Sequence, residues 1–267
     1  MTAIADLSVE SLTEAYRRGA LSPVEVVRDC LARIEAAATF NAFMPLMPDT
    51  VLAEAAASEA RWRTGAPLAA LDGVPASVKD NIWLKGYPTL RGSLTGDDAP
   101  ATADAPAVVR LREQGAVFLG KTCMPEHGWI GVCHSPRSGI TRNPWALTLT
   151  PGGSSGGASA SVAAGVTTLA VGTDAGGSTR LPAAYTGLVG MRPSTGRLAR
   201  RYGFPPMAID FQAIGPFART MRDLRLLYDV LAGPDPRDPY SVRFPAAPAI
   251  PADRPIRIGW FTAIGDE

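Results

Sequence analysis

Apolar residues recur at helical spacing through the first quarter of the chain. Residues 8 to 19 read as an amphipathic helix stopped by Gly19. A second helix starts at Ser22, where Ser22, Pro23 and Glu25 make a capping box with proline at the first helical position. Its apolar face, Val26, Val27, Cys30, Leu31 and Ile34, carries it to about Ala38. The stretch NAFMPLM (41–47) then reads as a short strand and residues 49 to 63 as an alanine-rich helix. Beyond residue 73 the pattern changes to short, continuous apolar runs alternating with helical segments. GVPASV (73–78) is strand-like and runs into Lys79, APAVVRLREQG (105–115) is a helix, and AVFLG (116–120) is a buried strand. A helix over 156–165, a strand over 167–172 and a helix from about 179 continue the series. Strands of this kind are buried on both sides, so the pattern predicts an α/β fold with a mixed, largely parallel central sheet covered by helices on both faces.

A length of 267 residues, with 46% hydrophobic and 19% charged, suits a single domain over 1–267 with a sizeable core. The proline-rich region 233–255 reads as a surface connection, and PIRIGWF (255–261) as one more strand, after which the chain stops. A chain that ends as a new α/β unit begins is expected to be truncated at its C-terminal side. Lys and Arg number 26 against 25 Asp and Glu, a net charge of +1, so there is no electrostatic footprint for nucleic acid. The N-terminus lacks the basic and apolar regions of a signal peptide, and three scattered cysteines do not make a disulfide framework, which points to the cytoplasm. Residues 143–173 carry no charge, but Gly, Ser, Thr and Pro interrupt them too often for a membrane span. A homodimer stays open.

The candidate chemistry is concentrated in two glycine-framed elements, PGGSSGG (151–157) and GTDAGGSTR (172–180), with Lys79 upstream in ASVKDNI. Paired glycines let backbone approach a reacting group closely. A serine nucleophile needs a neighbour to take its proton and donors to stabilise the oxyanion. His127 and His134 make a Ser-His-Asp arrangement conceivable, although no local signature supports it, and GGSSG is not GxSxG. Lysine does the same work once burial leaves its amine neutral, and Lys79 follows an apolar strand. A phosphate cradle lacks its GxxxxGK[ST] or GxGxxG string. Cys123, His127, Cys133 and His134 fit no standard zinc spacing and read as structural loop residues, so no metal or cofactor is expected. Trp129, Tyr185 and Met191 are candidates to line a pocket, although apolar residues beside a turn are more often core.

Together these strings, with TRNPW (141–145) and RLPAAYTGLVGMRPSTGR (180–197), closely resemble the amidase signature family of serine hydrolases. The resemblance covers the N-terminal part of longer members, from about residue 5 onward. It implies Ser178 as nucleophile, Ser154 as a bridging serine after a cis peptide bond from Gly153, and Lys79 as the base. It also implies an oxyanion hole from the backbone of Ala175, Gly176, Gly177 and Ser178, with Ser155, Asp174 and Arg180 as support. Positions 123 and 127 depart from the family's small polar and aromatic residues. The implied activity is hydrolysis of a small linear or aryl amide through an acyl-enzyme. The rival readings are the A-subunit of a tRNA-dependent amidotransferase, releasing ammonia from glutamine for its companion subunits, and an inactive truncated scaffold.

Overall fold

The computed structural model describes residues 4–36, 38–203, 211–243 and Pro255. Three helices open the chain: α1 (Val9–Arg17), α2 (Pro23–Ala36) and α3 (Pro48–Arg63). Ser8 caps α1 by accepting from Ser11 N–H at 3.2 Å. The capping box of α2 closes in both directions, Glu25 N–H to Ser22 Oγ at 3.1 Å and Ser22 N–H to Glu25 Oε2 at 2.7 Å. There follow β1 (Pro75–Lys79), α4 (Pro106–Glu113), β2 (Val117–Thr122), a short hairpin of β3 (His134–Ser135) and β4 (Gly139–Ile140), and α5 (Gly156–Ala163). The last described elements are β5 (Leu169–Asp174), α6 (Arg180–Thr186), β6 (Val189–Gly190), β7 (Ala213–Ala218) and α7 (Met221–Leu231).

Five strands make one sheet in the order β2-β1-β5-β7-β6. The β1–β2 and β1–β5 pairs are parallel, and β7 runs antiparallel to both β5 and β6. The sheet is therefore mixed and largely parallel, with β7 alone reversed. Side-chain alternation assigns its faces. Ala76, Val78, Phe118, Leu169, Val171 and Ile214 pack against α4 and α7. Val117 and Leu119 face α1, α2 and α3, while Ala170 and Phe217 face α5 and α6. Helices thus cover both faces.

The stretch 41–47 is not a strand. Phe43 makes a lone bridge to Thr122, supported by Met44 N–H to Lys121 O and Cys123 N–H to Ala42 O, both at 2.9 Å. Asn41 has φ 50°, and Pro45 lacks the N–H that a ladder needs, so pairing stops there. The strand expected at 167–172 begins later and runs to Asp174, which moves its end into the second glycine-framed motif. Part of the proline-rich region is packed rather than superficial: Asp235, Asp238 and Ser241 are buried, and Asp238 Oδ2 accepts Arg200 N–H at 2.9 Å. The strand expected at 255–261 lies, apart from Pro255, outside the described residues.

Candidate active site

The parallel register sets Val78 opposite Val171, so Lys79, the last residue of β1, emerges beside the end of β5. Behind both strand ends lies the start of α5, which is buried from Gly156 through Val162. Glycine makes that approach possible. A Cβ on Gly157 would stand 2.5 Å from Ala42 O and Cys123 N, and one on Gly172 would stand 2.6 Å from Ser155 Oγ. The Gly153–Ser154 peptide bond is cis.

Lys79 is 1% exposed and Ser154 2%. Lys79 Nζ lies 2.7 Å from Ser154 Oγ and 3.0 Å from Thr173 Oγ1, and Thr173 Oγ1 also accepts from Asn81 Nδ2 at 3.1 Å. Burial lowers the Lys79 pKa to about 7, against the opposing pull of Cys133 and Asp174. A lysine so placed is neutral in a large fraction of molecules near neutral pH and can accept a proton from Ser154. The wall facing Ser154 Oγ includes Gly128, where a Cβ would stand 3.1 Å from that oxygen.

Ser178 lies half-buried just ahead of α6, and its carbonyl accepts Ser155 N–H at 3.1 Å, which ties its loop to the residue following Ser154. Ser155 Oγ in turn bonds both the carbonyl and the N–H of Thr173, at 3.1 and 3.2 Å. Asp174 organises the loop leading to Ser178. Its carboxylate accepts the N–H groups of Gly177 and Thr179 at 2.8 and 3.0 Å and the Arg180 guanidinium at 2.9 and 3.1 Å. Burial pushes the Asp174 pKa up, but the Arg180 bond and the backbone donors win and hold it at about 2. Of the four backbone donors expected around an oxyanion, Gly177 thus gives its N–H to Asp174. The N–H groups of Ala175, Gly176 and Ser178 donate to no other group among the described residues.

The remaining candidates separate. Cys123 and Cys133 are buried, and burial raises both thiols, Cys123 to about 12. His127 and His134 are exposed. Trp129 and Tyr185 are exposed as well, contrary to a core reading, whereas Met191 packs on the main core. Sequence reasoning missed Thr173 and Asn81. Both flank motif residues already singled out, and the parallel register is the signal that brings them to Lys79.

A buried lysine bonded to a serine that follows a cis peptide, beside two glycine-framed loops, is the arrangement the motifs implied. A family profile described as Amidase matches residues 25–267. The chain belongs to the amidase signature family. Relatives of this amidase-family chain include the glutamyl-tRNA(Gln) amidotransferase A-subunit of Chloroflexus aurantiacus, 42% identical over 241 residues, covering 89% of this chain and 49% of that protein. Its counterpart of the same name in Symbiobacterium thermophilum is 39% identical over 95% of this chain and 53% of its own. Among solved structures, native peptide amidase from Stenotrophomonas maltophilia superposes with TM-score 0.86 at 34% identity, covering 91% of this chain and 51% of that one. A bacterial aryl acylamidase superposes with TM-score 0.80 at 36% identity, covering 88% and 49%. The chain therefore spans about half the length of the curated relatives it matches. No helix among the described residues is long and apolar enough to cross a membrane.

Proposed function

We propose that this chain carries the nucleophile, relay and base of an amide hydrolase, and that Ser178 attacks the carbonyl carbon of a carbon–nitrogen bond. The observation that carries the reading is the 2.7 Å contact between Lys79 Nζ and Ser154 Oγ, both buried. Neutral Lys79 takes the Ser154 proton while Ser154 takes that of Ser178. The Ser178 Oγ–carbon bond forms, and the carbonyl electrons move to an oxyanion facing the N–H groups of Ala175, Gly176 and Ser178. When the oxyanion collapses, the carbon–nitrogen bond breaks and the amine leaves with a proton from Ser154, which Lys79 replenishes. Water then cleaves the acyl-enzyme by the same relay in reverse, releasing the carboxylic acid and restoring Ser178. Asp174, Arg180 and Ser155 hold the nucleophile loop and α5 in register.

For the amide itself, the relatives named as amidotransferase A-subunits support glutamine as the donor of ammonia more strongly than a small linear or aryl amide. The second reading has its own support in the likeness to solved peptide amidase and aryl acylamidase structures. The deciding experiment labels the full chain with a fluorophosphonate, whose P–F bond breaks as the Ser178 Oγ–P bond forms. Peptide mass spectrometry locates the adduct, and ammonia or amine release is followed from glutamine, a peptide amide and an anilide. An adduct on Ser178, absent from Ser178→Ala, supports the site. A folded chain that takes no label counts against the site as assigned.

A further inference from the structure

Next to the reacting groups lies a second buried lysine that the chemistry above does not use. Lys121 and Asp80 are each 1% exposed, and Lys121 Nζ stands 3.2 Å from Asp80 Oδ1. Lys121 also donates to Pro88 O at 2.7 Å and Thr89 Oγ1 at 2.8 Å. Asp80 accepts Leu90 N–H on one oxygen at 3.4 Å and Gly92 N–H on the other at 3.3 Å. The two side chains therefore grip the turn 88–92 from β2 and from the residue after Lys79.

That turn bears on the site. Arg91 O accepts His127 N–H at 2.8 Å, and Gly92 sits so close to Met124 O that a Cβ there would approach it to 2.6 Å. Ser93 Oγ donates to Glu126 Oε1 at 2.7 Å. The segment 124–128 is thus seated on the turn, and its Gly128 forms the wall against Ser154 Oγ.

We infer that Lys121 and Asp80 are positioning residues for amide hydrolysis, holding the 88–92 turn, and through it the His127–Gly128 wall, against Ser154 while keeping the carboxylate beside Lys79 compensated. A buried pair costs desolvation, which the backbone groups of the turn bonded by both side chains offset here. Burial lowers Lys121 to about 8 against the pull of Asp80, with Arg91 pushing the same way as burial.

The inference rests on the assignment of Lys79, Ser154 and Ser178, and the parent chain tests that assignment first, since a parent that takes no label on Ser178 fails it before any variant is made. With a labelled parent, the fluorophosphonate rate is measured against pH in Asp80→Asn and Lys121→Met, with folding followed by circular dichroism. Burial, Cys133 and Asp174 act on Lys79; Asp80 follows it directly in the chain, and Lys121 stands opposite Val78 on β2. Removing the carboxylate leaves a cation and moves the pH midpoint down; removing the cation leaves a carboxylate and moves it up. The expected plateau rate falls roughly 10²-fold in either folded variant, the scale of a small misplacement of a reacting group. A plateau within twofold of the parent's in a folded variant overturns the inference. So does a slower plateau with an unmoved midpoint, the mark of general loosening. Should one variant fail to fold, the other supplies both readouts, and the apolar pair Lys121→Met/Asp80→Leu, which leaves the turn's N–H groups without acceptors, is expected to fold and to label slowly.

Discussion

At the residue scale, everything turns on an amine that must be neutral to act. Because burial brings Lys79 to about 7, the neutral fraction, and with it the labelling rate of Ser178, is expected to rise with pH and level off above a midpoint near 7. A midpoint near the ordinary lysine value would remove Lys79 from the role of base. Lys79→Ala is expected to cost several orders of magnitude in rate with the fold intact, and Ser178→Ala to take no label at that position; retained full activity in either variant contradicts the roles assigned here. Lys79, Ser154 and Ser178 were singled out as candidates in the sequence by the glycine frames of Ser154 and Ser178 and by the strings flanking all three residues. Thr173, Asn81 and Gly128 were not, because their meeting depends on how two strand ends and a loop lie in space. No spacing along the chain encodes that Thr173 Oγ1 accepts from both Lys79 and Asn81.

At the element scale, α5 is held in place by the absence of side chains. Gly157 is hemmed in by backbone, since a Cβ there would meet the backbone of Ala42 and Cys123 at 2.5 to 2.6 Å, and backbone cannot rotate away. Gly157→Ala is expected to destabilise the fold by about 1–3 kcal/mol and to slow labelling, because the start of α5 carries Ser154 and Ser155 with it. Gly176 is the control. Its Cβ would meet nothing within 4 Å, so Gly176→Ala should unfold at the parent's temperature. Thermal melts that rank the two the other way would refute this account of α5. The helix α1 was readable from its apolar spacing and α2 from the Ser22–Glu25 box, which caps as written. The element β7 went unread because Gly215 and Pro216 sit at its centre, residues that weaken a strand reading. The fold uses that glycine to let the Thr179 side chain press against the sheet, a reason that emerges only once α6 is placed.

At the scale of the whole molecule, buried titratable groups of opposite habit predict how stability changes with pH. Lys79 and Lys121 have folded values of about 7 and 8, below the ordinary 10.5. Between those values the unfolded chain binds more protons at both lysines, so stability rises with pH, by up to about 1.4 kcal/mol per pH unit for each fully differing site. Cys30 and Cys123 behave in the opposite sense. Burial raises each from 9.0 to about 12, and it raises Cys133 and Tyr16 as well. Above about pH 9 the unfolded thiols lose protons that the folded ones keep, so these groups lower stability as pH climbs. The two trends meet near pH 9, where the rise from the lysines is first opposed. The unfolding midpoint is therefore expected to increase from pH 7 to about 9 and then flatten or fall. Lys79→Met, which removes one of the two rising contributions, should give a shallower climb over that range while leaving the decline above it. A parent chain whose midpoint is flat or falling between pH 7 and 9 would mean that the lysines are not held uncharged in the folded state. The neutral base on which the proposed chemistry depends would then be lost with them.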